Sequence, residues 1–565
     1  MERSLELTPE QTEATTAGVS HAGVSRGVSA LTLDRGVVFA LVVLCVLGLG
    51  LRVRGISELG FAEDEINKLE AVRAYGRGQI TPNAEHPMLM KTLIFVSLTA
   101  AEKWNEMAGA EARQIGEEAA VRFPNVLLGA LTVLPLYLLT AAFFDKRTGL
   151  IAALLWSFGV NAITYNRIAK EDTLLVFFML FAFYFYLRAK QTSGHEPRAK
   201  KRFYLASAVS FGLMLASKYF PHYFGLNMLY HHLVAQRRRE PSEPRGRTPA
   251  IFYPVVLLVF LIANPAVLLP QTWHYLTAYS SEGLLTHHGY LMGETLYPNQ
   301  MSKTPFGTPV YFYLLFLAIK TPLPLLLALV AGLLACARRF RRPGEAFLLL
   351  MFILWIVPYS IAGAKWLRYA LSLLPIVYMI AAVGIMWLLR RLDASRFIAE
   401  GTRGGGGRSF SPLRIVRAVV LLFFVALPAW IAVNAAPHYA TYTNALGAGR
   451  AGYFFPHDEF YDDGLREAIK YVADNAPPKA TIVHETPGVA RYYLQKFARP
   501  DLDSRVLSDP AFKFGETPRP AYVILQRGRT YFENREKMAD ARARGQKVYE
   551  GFVNGLSAVE VYEVK

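Results

Sequence analysis

Residues 123–144 read FPNVLLGALTVLPLYLLTAAFF, with no charged side chain in the run. About 20 consecutive apolar residues cross the hydrocarbon core of a bilayer, so this stretch alone is a candidate membrane helix. It closes on Asp145-Lys146-Arg147, where the chain meets a polar layer. Outward from it, runs of the same character recur near 36–53, 148–166, 173–188, 203–217, 221–235, 250–269, 308–336, 345–363, 370–389 and 414–434. One more, 88–104, follows Pro87 and ends in Glu102-Lys103-Trp104. It is short and polar at its end, and it reads as a helix lying along the membrane surface or dipping into it.

Composition agrees. The chain of 565 residues is 53% hydrophobic and only 19% charged, against about 25% charged in soluble domains. Aromatic content of 13% suits many membrane–water interfaces. The net charge of +17 sits in short basic runs between apolar segments. Such runs set topology and meet lipid headgroups; no separate basic domain points to nucleic acid. The two cysteines, Cys45 and Cys336, offer neither a disulfide framework nor zinc spacing. The run 37–51 leads into Arg52 and Arg54 without a small-residue cleavage site, and reads as an uncleaved first span.

Charge bias fixes the expected orientation. Linkers 188–202, 236–248, 337–343 and 390–417 are dense in Arg and Lys, as in Arg237-Arg238-Arg239 and Arg338-Arg339-Phe340-Arg341-Arg342. The positive-inside rule puts them on the cytoplasmic side. With 88–104 not crossing, the N-terminus is also inside and the C-terminus outside. Segments 54–121, 167–172, 218–220, 270–307 and 364–369 then share the outer face. The expected fold is an all-α polytopic membrane bundle of about 11 transmembrane helices with a small C-terminal α/β extracytoplasmic domain. Its parts are a disordered cytoplasmic tail (1–34), a transmembrane domain (35–435) carrying the outer-face catalytic loop 54–121, and a soluble domain (436–565). In that last part, 463–476 reads as an amphipathic helix capped by Asp462 or Asp463, Ala480–His484 and Ala521–Gln526 as buried strands, 533–544 as a charged helix and Leu556–Tyr562 as a final strand. The glycine run within 401–408 reads as a flexible cytoplasmic linker.

The chemistry-bearing residues fall on the outer segments. Glu63-Asp64-Glu65 follows the first span. Adjacent carboxylates raise one another's pKa when partly buried, and one can accept a proton from an attacking hydroxyl. Glu85-His86-Pro87-Met88-Leu89-Met90-Lys91 combines two metal-capable side chains with a lysine able to hold a phosphate. Arg167-Ile168-Ala169-Lys170-Glu171-Asp172 opens an apolar helix, and Ser217-Lys218-Tyr219 lies between two short apolar runs. His274, His287 and His288 lie in the loop 270–307, and Lys365-Trp366-Leu367-Arg368-Tyr369 separates two spans. Each segment alone has an ordinary reading as helix cap, solvated loop or interfacial anchor.

Their order is more telling. An acidic pair after the first span, His-Pro-x-Leu-x-Lys about twenty residues later, and Arg122-Phe123-Pro124 opening the next span resemble the protein O-mannosyltransferases. In that family His-Pro-Pro-Leu-Gly-Lys follows an Asp-Glu pair. The bacterial aminoarabinose transferases of lipid A are also similar, with Glu-Lys-Pro where this chain has Glu85-His86-Pro87. Both belong to the C-type membrane glycosyltransferase superfamily. The resemblance covers roughly 36–435; Met88 and Met90 depart from the usual Pro and Gly, and His86 from the lysine of the aminoarabinose branch.

The resemblance implies Asp64 as general base, Glu65 as its positioning neighbour and Asp172 as a second acidic site. It implies His86, Lys91, Arg122, Lys218, Lys365, Arg368 and Tyr369 as the substrate and donor-phosphate set. A divalent metal ion is the one cofactor it leaves open, with Glu85 and His287 or His288 as ligands. The expected enzyme is an inverting hexosyl- or pentosyltransferase, mannosyltransferase-like, in the inner or plasma membrane. Its donor is a sugar on polyprenyl phosphate and its acceptor a hydroxyl of protein, lipid or glycan. No Gly-rich loop serves a nucleotide sugar on the cytoplasmic side, and the tail lacks the Trp-Trp-Asp of oligosaccharyl transferases. The competing class is a transporter or flippase of lipid-linked glycans, which would carry its charges near the bilayer midplane.

Overall fold

The computed structural model describes residues 34–109, 112–193, 195–235, 247–281, 286–300, 307–394 and 412–564. Six of its helices are long and apolar enough to cross a membrane: Arg35–Val53, Glu117–Phe143, Asp172–Gln191, Pro343–Ile361, Leu374–Leu392 and Ile415–Ala435. A bent pair, Lys146–Ser157 and Val160–Asn166, makes a seventh if read as one span. The N-terminal segment 1–33, the arginines 237–239 and the glycine run 401–408 lie outside the described residues.

Several runs that look continuous in sequence are broken. The 148–166 run bends by 58° between Ser157 and Val160. Gly159 sits at the bend, where a Cβ would lie 2.2 Å from the Tyr378 hydroxyl. At the break the carbonyls of Trp156 and Ser157 accept from the fully buried Arg52 guanidinium (both 3.2 Å), which also donates to Asn166 Oδ1 at 3.0 Å. Helix ends inside apolar surroundings need such partners. The 308–336 run likewise splits into Phe312–Lys320 and Leu323–Arg338 around Thr321-Pro322, since proline cannot donate into the ladder. Leu323–Arg338 packs on Leu374–Ala394 backbone to backbone: a Cβ on Gly332 would lie 1.9 Å from Ile380 O, and one on Gly384 2.1 Å from Ala328 O. Small residues at crossings are how membrane helices gain close contact.

The segment 88–104 forms the helix Met88–Ala108, which is not among the six. Before it, Glu63–Tyr75 forms a helix of its own.

The C-terminal segment folds around a five-stranded sheet. Its strands are β3 (Thr481–His484), β4 (Asp503–Val506), β5 (Ala521–Gln526), β6 (Gln546–Val553) and β7 (Leu556–Val564), numbered after a separate hairpin, β1 (Thr286–Met292) with β2 (Thr295–Gln300). Their order is β4-β3-β5-β7-β6, with β3 parallel to β4 and β5, and β7 antiparallel to both β5 and β6. The β6–β7 turn is Asn554-Gly555, both at positive φ (+51° and +75°), the pairing that a tight hairpin favours. The helix expected at 463–476 spans Leu465–Asn475, but neither aspartate caps it. Gly464, at φ +86°, holds the N-cap position, and the Asp462 carboxylate turns to Arg529 instead (2.6 Å). Phe61, Ile66 and Leu69 share one buried cluster with Leu465, Ile469 and Tyr493. The Glu63–Tyr75 helix is therefore held between the bundle and the C-terminal sheet, and this fixes the direction of its side chains.

Candidate active site

Three consecutive carboxylates open the Glu63–Tyr75 helix, where the dipole favours negative charge. Successive side chains on a helix point about 100° apart, and each of the three finds a different partner. Glu63 turns to the C-terminal segment and pairs with Arg529 at 2.9 Å. Glu65 is buried and bonds Arg122 through both oxygens, at 2.8 and 2.6 Å, while also accepting from the backbone N–H of Ala62 and Ala169. Asp64 stays partly open to solvent. Its Oδ1 lies 2.8 Å from Lys170 Nζ, and its Oδ2 lies 3.3 Å from Arg368 Nη1 and accepts from the Tyr461 hydroxyl at 2.6 Å.

For Asp64 this corrects the expectation of a raised carboxyl. Burial alone would raise Asp64, but Lys170, Arg368 and Lys68 hold it well below the usual carboxylate range. It is ionised at any ordinary pH, the state a base requires.

The segment Arg167–Asp172 lies between two helices and sends its charges in several directions. Lys170 goes to Asp64; Glu171 pairs with Lys68 at 3.0 Å, both fully buried; Asp172 pairs with Lys218 at 2.7 Å. Lys218 lies over the rings of Phe220 and Tyr369, at 4.5 and 5.0 Å. Leu367–Ser372, a 3-10 turn, carries Arg368 over the faces of Trp366 and Tyr369 (5.4 and 5.8 Å). Four cations (Lys68, Lys170, Lys218, Arg368) thus meet three carboxylates (Asp64, Glu171, Asp172). His86 does not add a charge: its Nδ1 lies 3.9 Å from Glu171, yet burial, with Lys170 and Lys68 beside it, keeps the imidazole well below its usual range. Glu85 and Asp458 also act on this set, on Lys68 and Arg368 respectively. Solvent reaches Asp64 (27%), Arg368 (16%) and Lys218 (12%), whereas Lys68 and Glu171 form its sealed floor.

Other expected residues stand apart from this site. The Lys91 ammonium donates to the carbonyls of Asn83 (2.6 Å) and His86 (2.9 Å), that of Lys365 to Thr308 and Ala362. Arg122, besides Glu65, holds the carbonyls of Ile56, Leu59 and Gly60. All three are buried and brace loops. One Glu85 oxygen accepts from Asn83, and the other is buried without a hydrogen-bond partner. The side chains of His287 and His288 lie outside the described residues. Among the described residues no three His, Cys, Asp or Glu side chains converge as metal ligands, and Glu85 does not by itself make a metal centre.

Sequence reasoning left Lys68, Lys170, Glu171 and Tyr461 out of the candidate set. Lys68 had a signal, one helical turn after Asp64. Lys170 and Glu171 stand inside a segment singled out for its charge. Tyr461 had no local signal.

Comparison with known proteins bears on the fold. The sequence pattern of the dolichyl-phosphate-mannose-protein mannosyltransferases matches residues 114–269. No curated protein matches the sequence. ArnT from Cupriavidus metallidurans, in a crystal structure bound to undecaprenyl phosphate, superposes with a TM-score of 0.51 at 15% identity, over 93% of this chain and 98% of ArnT. The fold is that of the C-type membrane glycosyltransferases. The Archaeoglobus fulgidus oligosaccharyltransferase tethered to an acceptor peptide shares this C-type fold, with a TM-score of 0.52 at 14% identity over 92% of this chain and 73% of the enzyme.

Proposed function

We propose that the chain is an inverting glycosyltransferase that moves a sugar from a polyprenyl-phosphate donor to a hydroxyl of a protein, lipid or glycan acceptor. The observation carrying this reading is the Asp64 site, a partly exposed carboxylate held ionised between Lys170 and Arg368. A phosphate entering the site draws Arg368 and Lys170 toward its oxygens. Asp64 then loses part of the charge that holds its proton affinity down and becomes the stronger base. The acceptor oxygen attacks the anomeric carbon from the face opposite the phosphate. The carbon–oxygen bond to phosphate breaks, its electron pair leaves with the polyprenyl phosphate, and the acceptor's proton passes to Asp64. Arg368, Lys170 and Lys218 receive the charge that develops on the leaving group, so no acid is needed there. Water must be kept from the donor, and the sealed floor under the site serves that end.

An orientation goes with this function. About eleven spans, a cytoplasmic N-terminus and an extracytoplasmic C-terminal domain from 436 would put the site on the outer face of an inner or plasma membrane. The basic linkers support it, as does the gathering of the charged site at helix ends instead of mid-helix, which disfavours a flippase.

The test is turnover of a panel of labelled polyprenyl-phosphate sugars by the protein in nanodiscs with membrane-extract acceptors. Release of polyprenyl phosphate from one donor, with inversion at the anomeric carbon in the product, is expected. Passage of intact lipid-linked sugar across sealed vesicles with no bond cleaved would contradict it.

A further inference from the structure

One residue of the C-terminal segment reaches the carboxylate on which the proposed reaction turns. Tyr461 follows the short helix Pro456–Phe460, and its hydroxyl donates to Asp64 Oδ2 at 2.6 Å. Its backbone lies at φ +51°, ψ −113°, a region that side chains larger than glycine enter only where the surroundings over-determine it.

Here they do. The Tyr461 N–H donates to His457 O at 3.0 Å. Gly528 approaches so closely that a Cβ there would lie 2.8 Å from Tyr461 O. The next residue, Asp462, is buried, bonds Arg529 at 2.8 and 2.6 Å and Gln526 at 3.0 Å, and accepts from the backbone N–H of Glu63 at 3.0 Å. Arg529 also pairs with the Glu63 side chain. The strained tyrosine and the first turn of the Asp64 helix are thus gripped by one latch.

We infer that Tyr461 is a positioning residue contributed by the C-terminal segment, holding Asp64 Oδ2 in place when the donor phosphate draws Arg368 away. This rests on the reading of Asp64 as the base. A neutral hydroxyl is well matched to that role, because it keeps the carboxylate in one rotamer without adding a charge. Burial and the adjacent Asp64 raise the phenol well above its usual range, so it stays a donor. The charged and titratable groups facing Asp64 are then Lys68, Lys170, Arg368, His86 and Tyr461, and Tyr461 alone among them comes from beyond the bundle. The C-terminal domain becomes part of the catalytic machinery instead of an appended binding module.

The test compares wild type, Tyr461→Phe and protein carrying difluorotyrosine at 461, in nanodiscs with the donor that wild type turns over. Loss of the hydroxyl that fixes the Asp64 rotamer should lower kcat of Tyr461→Phe about tenfold to a hundredfold, the scale on which a misplaced reacting group costs rate. The donor KM should stay within about twofold, because Tyr461 does not hold the phosphate. The acid limb of the kcat profile should move up in Tyr461→Phe and down with difluorotyrosine, whose stronger donation favours the ionised carboxylate. The fluorinated protein keeps the shape and reads the effect even if the phenylalanine variant folds poorly. Wild-type kcat and an unmoved acid limb in both variants, with turnover abolished in Asp64→Asn, would overturn this inference alone. Absence of turnover in wild type would remove the proposed reaction and the inference with it.

Discussion

Arg368 lies 3.3 Å from the Asp64 carboxylate, and only partly buried. Asp64 opens a helix just after the first span, while Arg368 stands on a turn before the Leu374–Ala394 helix. The contact holds a guanidinium, 16% exposed, over the rings of Trp366 and Tyr369.

Arg368→Ala should therefore weaken the donor. A charge-assisted hydrogen bond contributes about 1.5–3 kcal/mol, which corresponds to a donor KM raised roughly tenfold to a hundredfold. Arg368→Lys should recover only part, since a point charge lacks the planar fork. Initial rates against donor concentration check this. An unchanged KM in both variants would take Arg368 out of the phosphate set.

The pH profile should carry the signature of Lys170. Burial pushes this ammonium down to about 8, so kcat/KM should fall on the alkaline side with a midpoint near that pH. Lys170→Arg should abolish the limb, because a guanidinium does not deprotonate there. The sign for stability is opposite. Lys170 binds its proton less tightly in the folded chain than in the unfolded one, so between about 8 and the ordinary lysine value near 10.4 it makes stability rise with pH. Activity should drop across that window with no fall in thermal midpoint from this group, which thermal scans beside the rate profile will show.

The Glu65–Arg122 pair should behave as structure. Both side chains are buried and doubly bonded. Removing one partner of such a pair costs about 3–5 kcal/mol, so Arg122→Ala should lower the yield of folded protein and its apparent melting temperature far more than Arg368→Ala does. A variant with wild-type melting and a raised donor KM would instead return Arg122 to the donor site.

Much of the framework was legible in sequence because a bilayer demands long apolar runs, and Pro343–Ile361 or Asp172–Gln191 satisfy that demand almost residue for residue. The breaks were not, since Gly159 and Thr321-Pro322 interrupt runs whose hydropathy stays high. Two strands of the C-terminal sheet were also hidden. Asp503–Val506 and Gln546–Val553 are its edges, only partly buried and interrupted by charged residues, so they lack the apolar signal of the buried β3 and β5. At the site, the family resemblance pointed to Asp64, Asp172, Lys218 and Arg368, which the fold brings to one place. A lysine at a helix end reads the same in sequence whether it faces the site, like Lys170, or loop carbonyls, like Lys91 and Lys365. Only the tertiary path distinguishes them.

The central claim is that Asp64 takes the acceptor's proton in transfer from a polyprenyl-phosphate sugar. Its most direct test is single-turnover transfer by wild type and Asp64→Asn in the same nanodiscs, with donor binding measured alongside. Donor binding is predicted to survive while the transfer rate falls by roughly 10²–10⁴, the usual contribution of a general base. Transfer by Asp64→Asn at the wild-type rate would contradict it.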